Sequence, residues 1–180
     1  NMFDRAKELG IPDIRFTGAT LSEGSWHYQS IWNVGGGLNM YDAEKRLWGS
    51  TTSQGKDLRD VTFANYYPSS FGHNFSVSAH TTLEQFEHIE ATAIGYNATY
   101  SLNLNPKDVE TCPDKYAIFN AIHTWEEARR ADAFPTHIKK MLQDPSLSWR
   151  LEKKADNSGW TLYQMENGQK GRSFDLIAKK

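Results

Sequence analysis

The chain contains a single cysteine, Cys112, among its 180 residues. One cysteine excludes an internal disulfide framework and cannot by itself hold a zinc ion. Spacing typical of metal ligands is also missing among His80, His88, His123 and His137. Three consecutive glycines at 35–37 lack the spacing of a nucleotide-binding loop, and favour a flexible or close-packed turn. The sequence therefore predicts no metal and no cofactor.

An excess of positive charge is missing as well. Lys and Arg number 20 against 22 Asp and Glu, which gives a net charge of -2, and the basic residues are scattered. A nucleic-acid partner is not expected, because no basic stripe is present to neutralise phosphates. No apolar run approaches the roughly 18 residues of a membrane span, so we also expect no membrane partner.

The first residues lack the pattern of a secretory signal peptide. The chain begins with Asn1 directly inside a helix-like pattern, and residues 174–180 resemble a strand that needs partners. These features lead us to expect a fragment or a processed chain.

Aromatic residues are abundant at 13% of the chain, with 6 Trp and 8 Tyr, and they are prominent in the loop at 14–28. Trp26 and Tyr28 are costly to expose unless another part of the protein or a ligand covers them. If the loop lines a cleft, burial would raise the pKa of Glu23 and suit it to proton donation; the alternative is a solvated glutamate. His27 is equally consistent with a functional role, as a base or as a hydrogen-bond donor to substrate, and with a structural role.

The first part of the chain reads as alternating helices and strands. A helix is predicted over 2–9 with a stop at Gly10, followed by strands at 11–16 and 61–68. The second strand ends in aromatics, and a second candidate functional loop follows at 69–75. The candidate binding residues from these two places are Tyr66, Tyr67, His73 and Asn74.

The second part begins with a clear helix-then-strand unit. Thr81 and Glu84 match a capping box, Gly95 ends the helix, and a strand is predicted over 98–104. The acidic residues Glu84, Glu87 and Glu90 are interpreted as a solvated helix face. A long helix near 113–134, with Cys112 at a helix start, and a short helix to Leu142 follow. Period-two strands at 148–152, 159–165 and 173–177, separated by turns, then indicate an all-β module.

In order and character these segments resemble the late part of a polysaccharide-degrading glycoside hydrolase, in which a (β/α)8 barrel precedes a β-sandwich. The resemblance rests on the strand at 13–18, the Trp26-His27-Tyr28 loop, the unit at 84–104, the helix ending in Ala131-Asp132-Ala133-Phe134-Pro135, and the later β strands. It implies an α/β fold, with a partial barrel at 1–145 and the start of a β-sandwich-like module at 146–180.

By this resemblance the active site lies at the carboxyl ends of the barrel strands. Trp26, Tyr28, Tyr66 and Tyr67 would be sugar platforms, whereas His27, His73 and Asn74 would bind hydroxyl or acidic groups. Glycosidases of this type use two carboxylates, and only Glu23 is a candidate here. We therefore expect the second acid, and the rest of the barrel, on a missing segment or a second chain.

Three functions remain open at this point. The first is a glycoside hydrolase with Glu23 as general acid and His27 assisting, secreted or periplasmic. The second is a polysaccharide lyase acting by β-elimination, in which Tyr28 or His27 takes the proton while His73 and Asn74 stabilise the carboxyl group. The third is a non-catalytic fragment with a carbohydrate-binding or structural role.

Overall fold

The computed structural model describes residues 2–11, 17–18, 31–33, 69–70, 75–102, 104–144 and 146–179. It contains five helices and six strands within those ranges. In chain order they are α1 Met2–Glu8, β1 Thr17–Gly18, β2 Ile31–Asn33, β3 Ser69–Ser70, α2 Leu83–Gly95, α3 Pro106–Thr111, α4 Lys115–Arg130, α5 Thr136–Leu142, β4 Ser148–Lys153, β5 Trp160–Glu166 and β6 Gln169–Leu176.

The first three strands form a parallel sheet in the order β1-β2-β3. An isolated parallel bridge between Ser70 and Thr99 continues this arrangement into the segment that follows α2. Parallel neighbours in chain order require a crossover between every pair of strands. The expected α/β class is thus confirmed, although the described residues do not form a barrel.

Helix α2 begins one residue later than the predicted capping box. Thr82 accepts from the Gln85 backbone N–H at 3.3 Å, and the Gln85 side chain accepts from the Thr82 N–H at 3.0 Å. The Thr81 hydroxyl is used differently, since it donates to the Ser76 carbonyl at 3.2 Å. Either threonine fits the sequence pattern, and the turn at 76–81 selects between them.

Gly95 closes α2, as predicted, but for a packing reason. A Cβ at this position would lie 3.1 Å from backbone atoms of Lys139 and Leu142, so glycine permits α5 to approach the end of α2 closely. The left-handed residue that normally follows a helix end is Asn97, with φ of 51°.

The predicted long helix at 113–134 is shorter in the structure, and the separate helix α3 precedes it. Cys112 ends α3 and is buried before α4 begins, so its predicted place at a helix start is wrong. Its Sγ lies 3.5 Å from the Thr81 carbonyl, which is consistent with a small structural side chain. The predicted short helix to Leu142 is confirmed as α5.

The last three strands form an antiparallel sheet in the order β4-β5-β6. The β5–β6 turn contains Asn167 and Gly168 with φ of 51° and 76°, the backbone signs of a type I′ hairpin. Because this turn sets the register, β6 starts at Gln169, four residues before the predicted strand. The predicted period-two strands are otherwise confirmed.

Two hydrophobic clusters hold the described part together. The first joins α2, α4 and α5 to the inner face of the antiparallel sheet, with Trp125, Leu142 and Leu162 among its buried members. The second joins Phe75, α2, the segment at 98–102 and the first part of α4. Because the first cluster draws residues from both sides of position 145, the sheet packs directly on the helices; the boundary at 145 stays a prediction.

Two strands fall in places that the sequence did not indicate. β3 occupies Ser69–Ser70, where the sequence predicted the start of a loop. No strand was predicted at the position of β2. Both are two or three residues long, too short to show a period-two pattern. Helix α1 is confirmed, and most of the predicted strands at 11–16 and 61–68 lie outside the described residues.

Candidate functional site

The residues that the sequence predicts for the site all lie outside the described ranges. The structure therefore neither brings them together nor separates them. They are Glu23, Trp26, His27, Tyr28, Tyr66, Tyr67, His73 and Asn74.

The described strands share one direction. Gly18 pairs with Trp32, and Asn33 pairs with Ser70, so the carboxyl ends of β1, β2 and β3 lie at one edge of the sheet. In the sequence, Glu23 and Trp26–Tyr28 come after β1, and His73 and Asn74 come after β3. Tyr66 and Tyr67 precede β3, so the strand placement gives them no comparable support.

Two isolated parallel bridges join this part of the chain to the segment after α2. Ser70 is bridged to Thr99 and Phe75 to Leu102. In the sequence, His73 and Asn74 come between the two bridged residues Ser70 and Phe75.

The carboxyl group with the most strongly shifted pKa in the described part is Glu90 on α2. Its side chain is fully buried, and the Tyr100 hydroxyl donates to Oε1. Burial raises the pKa of Glu90 to about 8, outweighing the Tyr100 hydrogen bond, which lowers it. Burial and the nearby Glu90 carboxyl both raise the pKa of Tyr100. At neutral pH the pair is therefore mainly a neutral acid beside a neutral phenol.

One arginine and a second acid lie beside this pair. Arg129 donates to Glu126 through Nε at 3.0 Å and through Nη2 at 2.6 Å, and to the Ala98 carbonyl through Nη1 at 3.2 Å. Oε2 of Glu90 has no hydrogen-bond partner among the described residues. Because Glu90 is fully buried, we interpret this cluster as structural: it joins α2, α4 and the segment at 98–102.

A second buried acid links α2 to the antiparallel sheet. Glu87 is 3% exposed, and its Oε2 accepts from Arg150 Nε at 3.2 Å. Burial raises the pKa of Glu87, and the Arg150 charge and hydrogen bond oppose that rise. The predicted solvated face is thus wrong for Glu87 and Glu90, because α2 lies between the two hydrophobic clusters and is covered on most sides. Only Glu84 of these three acids is exposed.

The described residues offer few options for a metal or a membrane. They contain no group of three or more His, Cys, Asp or Glu that could hold a metal ion. Burial lowers the pKa of His88, whereas Glu84 opposes that shift. None of the helices within the described ranges has the length and apolar character needed to cross a bilayer.

Comparisons with protein-family models, with curated proteins and with solved structures find no match for this chain. The functional argument therefore rests on the strand arrangement and on the residues in the loops that follow the strands.

Proposed function

We propose that the chain is part of a carbohydrate-active enzyme, a glycoside hydrolase that cleaves a polysaccharide. The observation that supports this proposal is the parallel arrangement of β1, β2 and β3 in chain order, with a parallel bridge to Thr99. Sequential parallel strands are the arrangement of a (β/α) barrel sector, in which catalytic groups follow the carboxyl ends of strands.

The loops at that edge carry suitable chemistry for a sugar. Trp26 and Tyr28 supply flat aromatic faces, which can pack against a sugar ring while polar tips bind hydroxyl groups. Glu23 in the same loop is the proton donor of the proposal, and His27 assists it. His73 and Asn74, after β3, bind hydroxyl or acidic groups of the substrate.

The proposal includes an additional protein segment. Glycoside hydrolysis requires a second carboxylate, and a complete (β/α)8 barrel has more parallel strands than the described residues supply. We propose that a second chain or an additional segment provides both. In a secreted or periplasmic enzyme such a cleft would be accessible to polysaccharide.

Binding of oligosaccharides tests the aromatic loop without requiring the second acid. The 180-residue chain would be titrated with neutral and uronate-containing oligosaccharides by calorimetry, beside Trp26→Ala. We expect Trp26→Ala to weaken binding at least about tenfold, because the packing of a sugar ring on the aromatic face is lost. The matched control is Tyr116→Ala, an aromatic that is 80% exposed on α4. Unchanged binding in Trp26→Ala would contradict the proposed platform.

Turnover tests the reaction in the protein completed by its additional segment. We expect new reducing ends without ultraviolet absorption, and loss of turnover with retained binding in Glu23→Gln. Glu110→Gln is the matched control, since Glu110 is an exposed acid that pairs with Lys115. Products that absorb in the ultraviolet would replace the hydrolase with a β-eliminating lyase. Binding without any turnover would reduce the protein to a carbohydrate-binding module.

A further inference from the structure

A cavity of about 360 Å³ opens where the ends of α2 and α4 meet α5. Its volume is within the usual range for a small-molecule site, which begins at roughly 300 Å³. Ile94 and Phe134 contribute apolar surface. The remaining lining residues are polar or charged: Asn97, Arg129, Arg130, Asp132 and Lys139.

The charges around the cavity do not balance. Asp132 is already paired with Lys179, whose Nζ lies 2.6 Å from its Oδ2, and Arg129 is paired with Glu126. Arg130 is exposed and makes no hydrogen bond or ion pair with the described residues. Lys139 contacts a neutral amide, since its Nζ donates to Asn97 Oδ1 at 2.7 Å. The pKa of Asp132 is lowered chiefly by the Lys179 hydrogen bond and also by the Lys139 charge, so Lys139 is partly compensated and Arg130 is not. The side chains that line the cavity carry three positive charges, on Arg129, Arg130 and Lys139, against one negative charge on Asp132.

Two residues that line the cavity have a left-handed backbone conformation. Asn97 and Asp132 follow the ends of α2 and α4 with φ of 51° and 48°, where glycine is usually favoured. Each side chain instead binds a lysine, Asn97 holding Lys139 and Asp132 holding Lys179. Glycine at either position would relieve the backbone and lose that contact. These residues therefore set the positions of the cations around the cavity.

The described lining of the cavity includes none of the residues of the proposed sugar cleft. Asn97 lies at the amino end of the segment that pairs with β3, whereas Glu23, His73 and Asn74 follow carboxyl ends of strands. A ligand here would contact a different edge of the layer. Binding at the cavity can thus be tested independently of the proposed hydrolase.

We propose that this cavity binds a small molecule through an anionic group, a phosphate or a carboxylate. Arg130 supplies a planar set of N–H donors that matches two oxygens of such a group, and Lys139 adds a second positive charge. Asn97 is a positioning residue, because it contacts Lys139. Ile94 and Phe134 contact the apolar part of the ligand.

The probes are glucose 6-phosphate, glucuronate, inorganic phosphate and neutral glucose, titrated into the 180-residue chain by calorimetry. We expect binding of at least one anionic sugar, weaker binding of inorganic phosphate, and no binding of glucose. Stronger binding of glucose 6-phosphate would identify a phosphate site, and stronger binding of glucuronate a carboxylate site. Failure of all three anions to bind, or equal binding of glucose, would overturn the proposal.

Variants distinguish specific binding at the cavity from general electrostatic attraction to the protein surface. Arg130→Gln should raise the Kd at least about tenfold, because a charge-assisted bidentate contact is lost, and Arg130→Lys should recover part of it. The control is Lys140→Gln, which removes one positive charge from α5 next to Lys139, at a residue that does not line the cavity. An equal loss in Lys140→Gln would overturn the proposal.

Arg130 has no partner among the described residues, so Arg130→Gln should keep the melting temperature of the parent. Asn97→Gly gives an independent second variant, which removes the contact with Lys139 without straining the left-handed backbone and should weaken binding. If both variants melt normally and still bind like the parent, the assignment of the cavity is wrong.

Discussion

The parallel strands and the antiparallel sheet of this molecule are built in opposite ways. The antiparallel strands have six, seven and eight residues and follow one another through short turns. The parallel strands have two or three residues, and the chain from β2 to β3 passes through residues 34–68. Local pairing lets a turn fix the register, whereas parallel pairing depends on a long crossover and on packing outside the strands.

The two regions also differ in how deeply their acidic side chains are buried. Apart from Arg150, which pairs with the buried Glu87 of α2, the charged side chains of the antiparallel sheet form exposed or half-exposed pairs, such as Lys170 with Glu152 at 2.6 Å. Beside the parallel segment at 98–102 an acid is fully buried, with a tyrosine hydroxyl as its hydrogen-bond partner. The first arrangement contributes little to stability, and the second makes stability depend on pH.

The largest expected effect comes from removing the packing that supports the antiparallel sheet. Trp125 is fully buried on α4, and its ring stacks on Phe134 at 5.8 Å between centroids. Trp125→Ala should lower the free energy of unfolding by about 3–5 kcal/mol, through lost contacts and the cavity left behind. Urea unfolding followed by circular dichroism measures this.

Tyr116→Ala is the matched control on the same helix, and it should change the free energy by less than about 0.5 kcal/mol because the ring is exposed. Comparable losses for the two variants would show that the sheet does not depend on its packing against α4.

An intermediate effect is expected at Glu90, beside the parallel segment. The folded-state pKa of Glu90 is about 8 against an ordinary value of 4.5, so the folded protein binds the additional proton between these values. Stability from this group is therefore present below about pH 4.5 and lost as the pH rises toward 8. Glu90→Gln should match the parent near pH 4 and exceed it by on the order of 3 kcal/mol near pH 8.

The measurement is urea unfolding of both proteins across this pH range. Glu84→Gln, an exposed acid on the same helix, is the control and should give a difference that does not grow with pH. If Glu90→Gln were equally or less stable than the parent at pH 8, the carboxyl would be ionised at little cost.

The smallest effect tests how far the local turn determines the antiparallel sheet. Asn167 has φ of 51°, a region that a β-branched residue rarely adopts. Asn167→Val should destabilise the protein by about 1 kcal/mol, whereas Asn167→Gly should be close to neutral. Thermal unfolding gives the difference. An equally tolerated valine would mean that packing on the helices, rather than the turn, sets the β5–β6 register.

Much of the second half could be predicted because its signals are local. The ends of α5, the alternation of β4 and the Asn167-Gly168 turn each depend on neighbours within a few residues. Prediction was poorer for β2 and β3, since a strand of two or three residues has no period to detect. The burial of Glu87 and Glu90 was missed for another reason: a helix face looks solvated until the elements on both sides of it are known.

The candidate cleft, too, could be predicted only in part. Its aromatic and acidic residues are evident from the sequence, and the order of β1, β2 and β3 supports only the edge at which their loops begin. The cation-lined cavity had no sequence signal, because Asn97, Arg130 and Lys139 come from separate elements.

By itself, the sequence determined the α/β class, most helix positions and the hairpins of the antiparallel sheet, because hydrophobic period and turn chemistry act over short distances. Only the tertiary structure decided which strands are parallel neighbours, which acids are buried and which cations share a cavity. Those outcomes depend on contacts between residues far apart in the chain, and a side chain's neighbours determine its pKa and its capacity to bind a ligand.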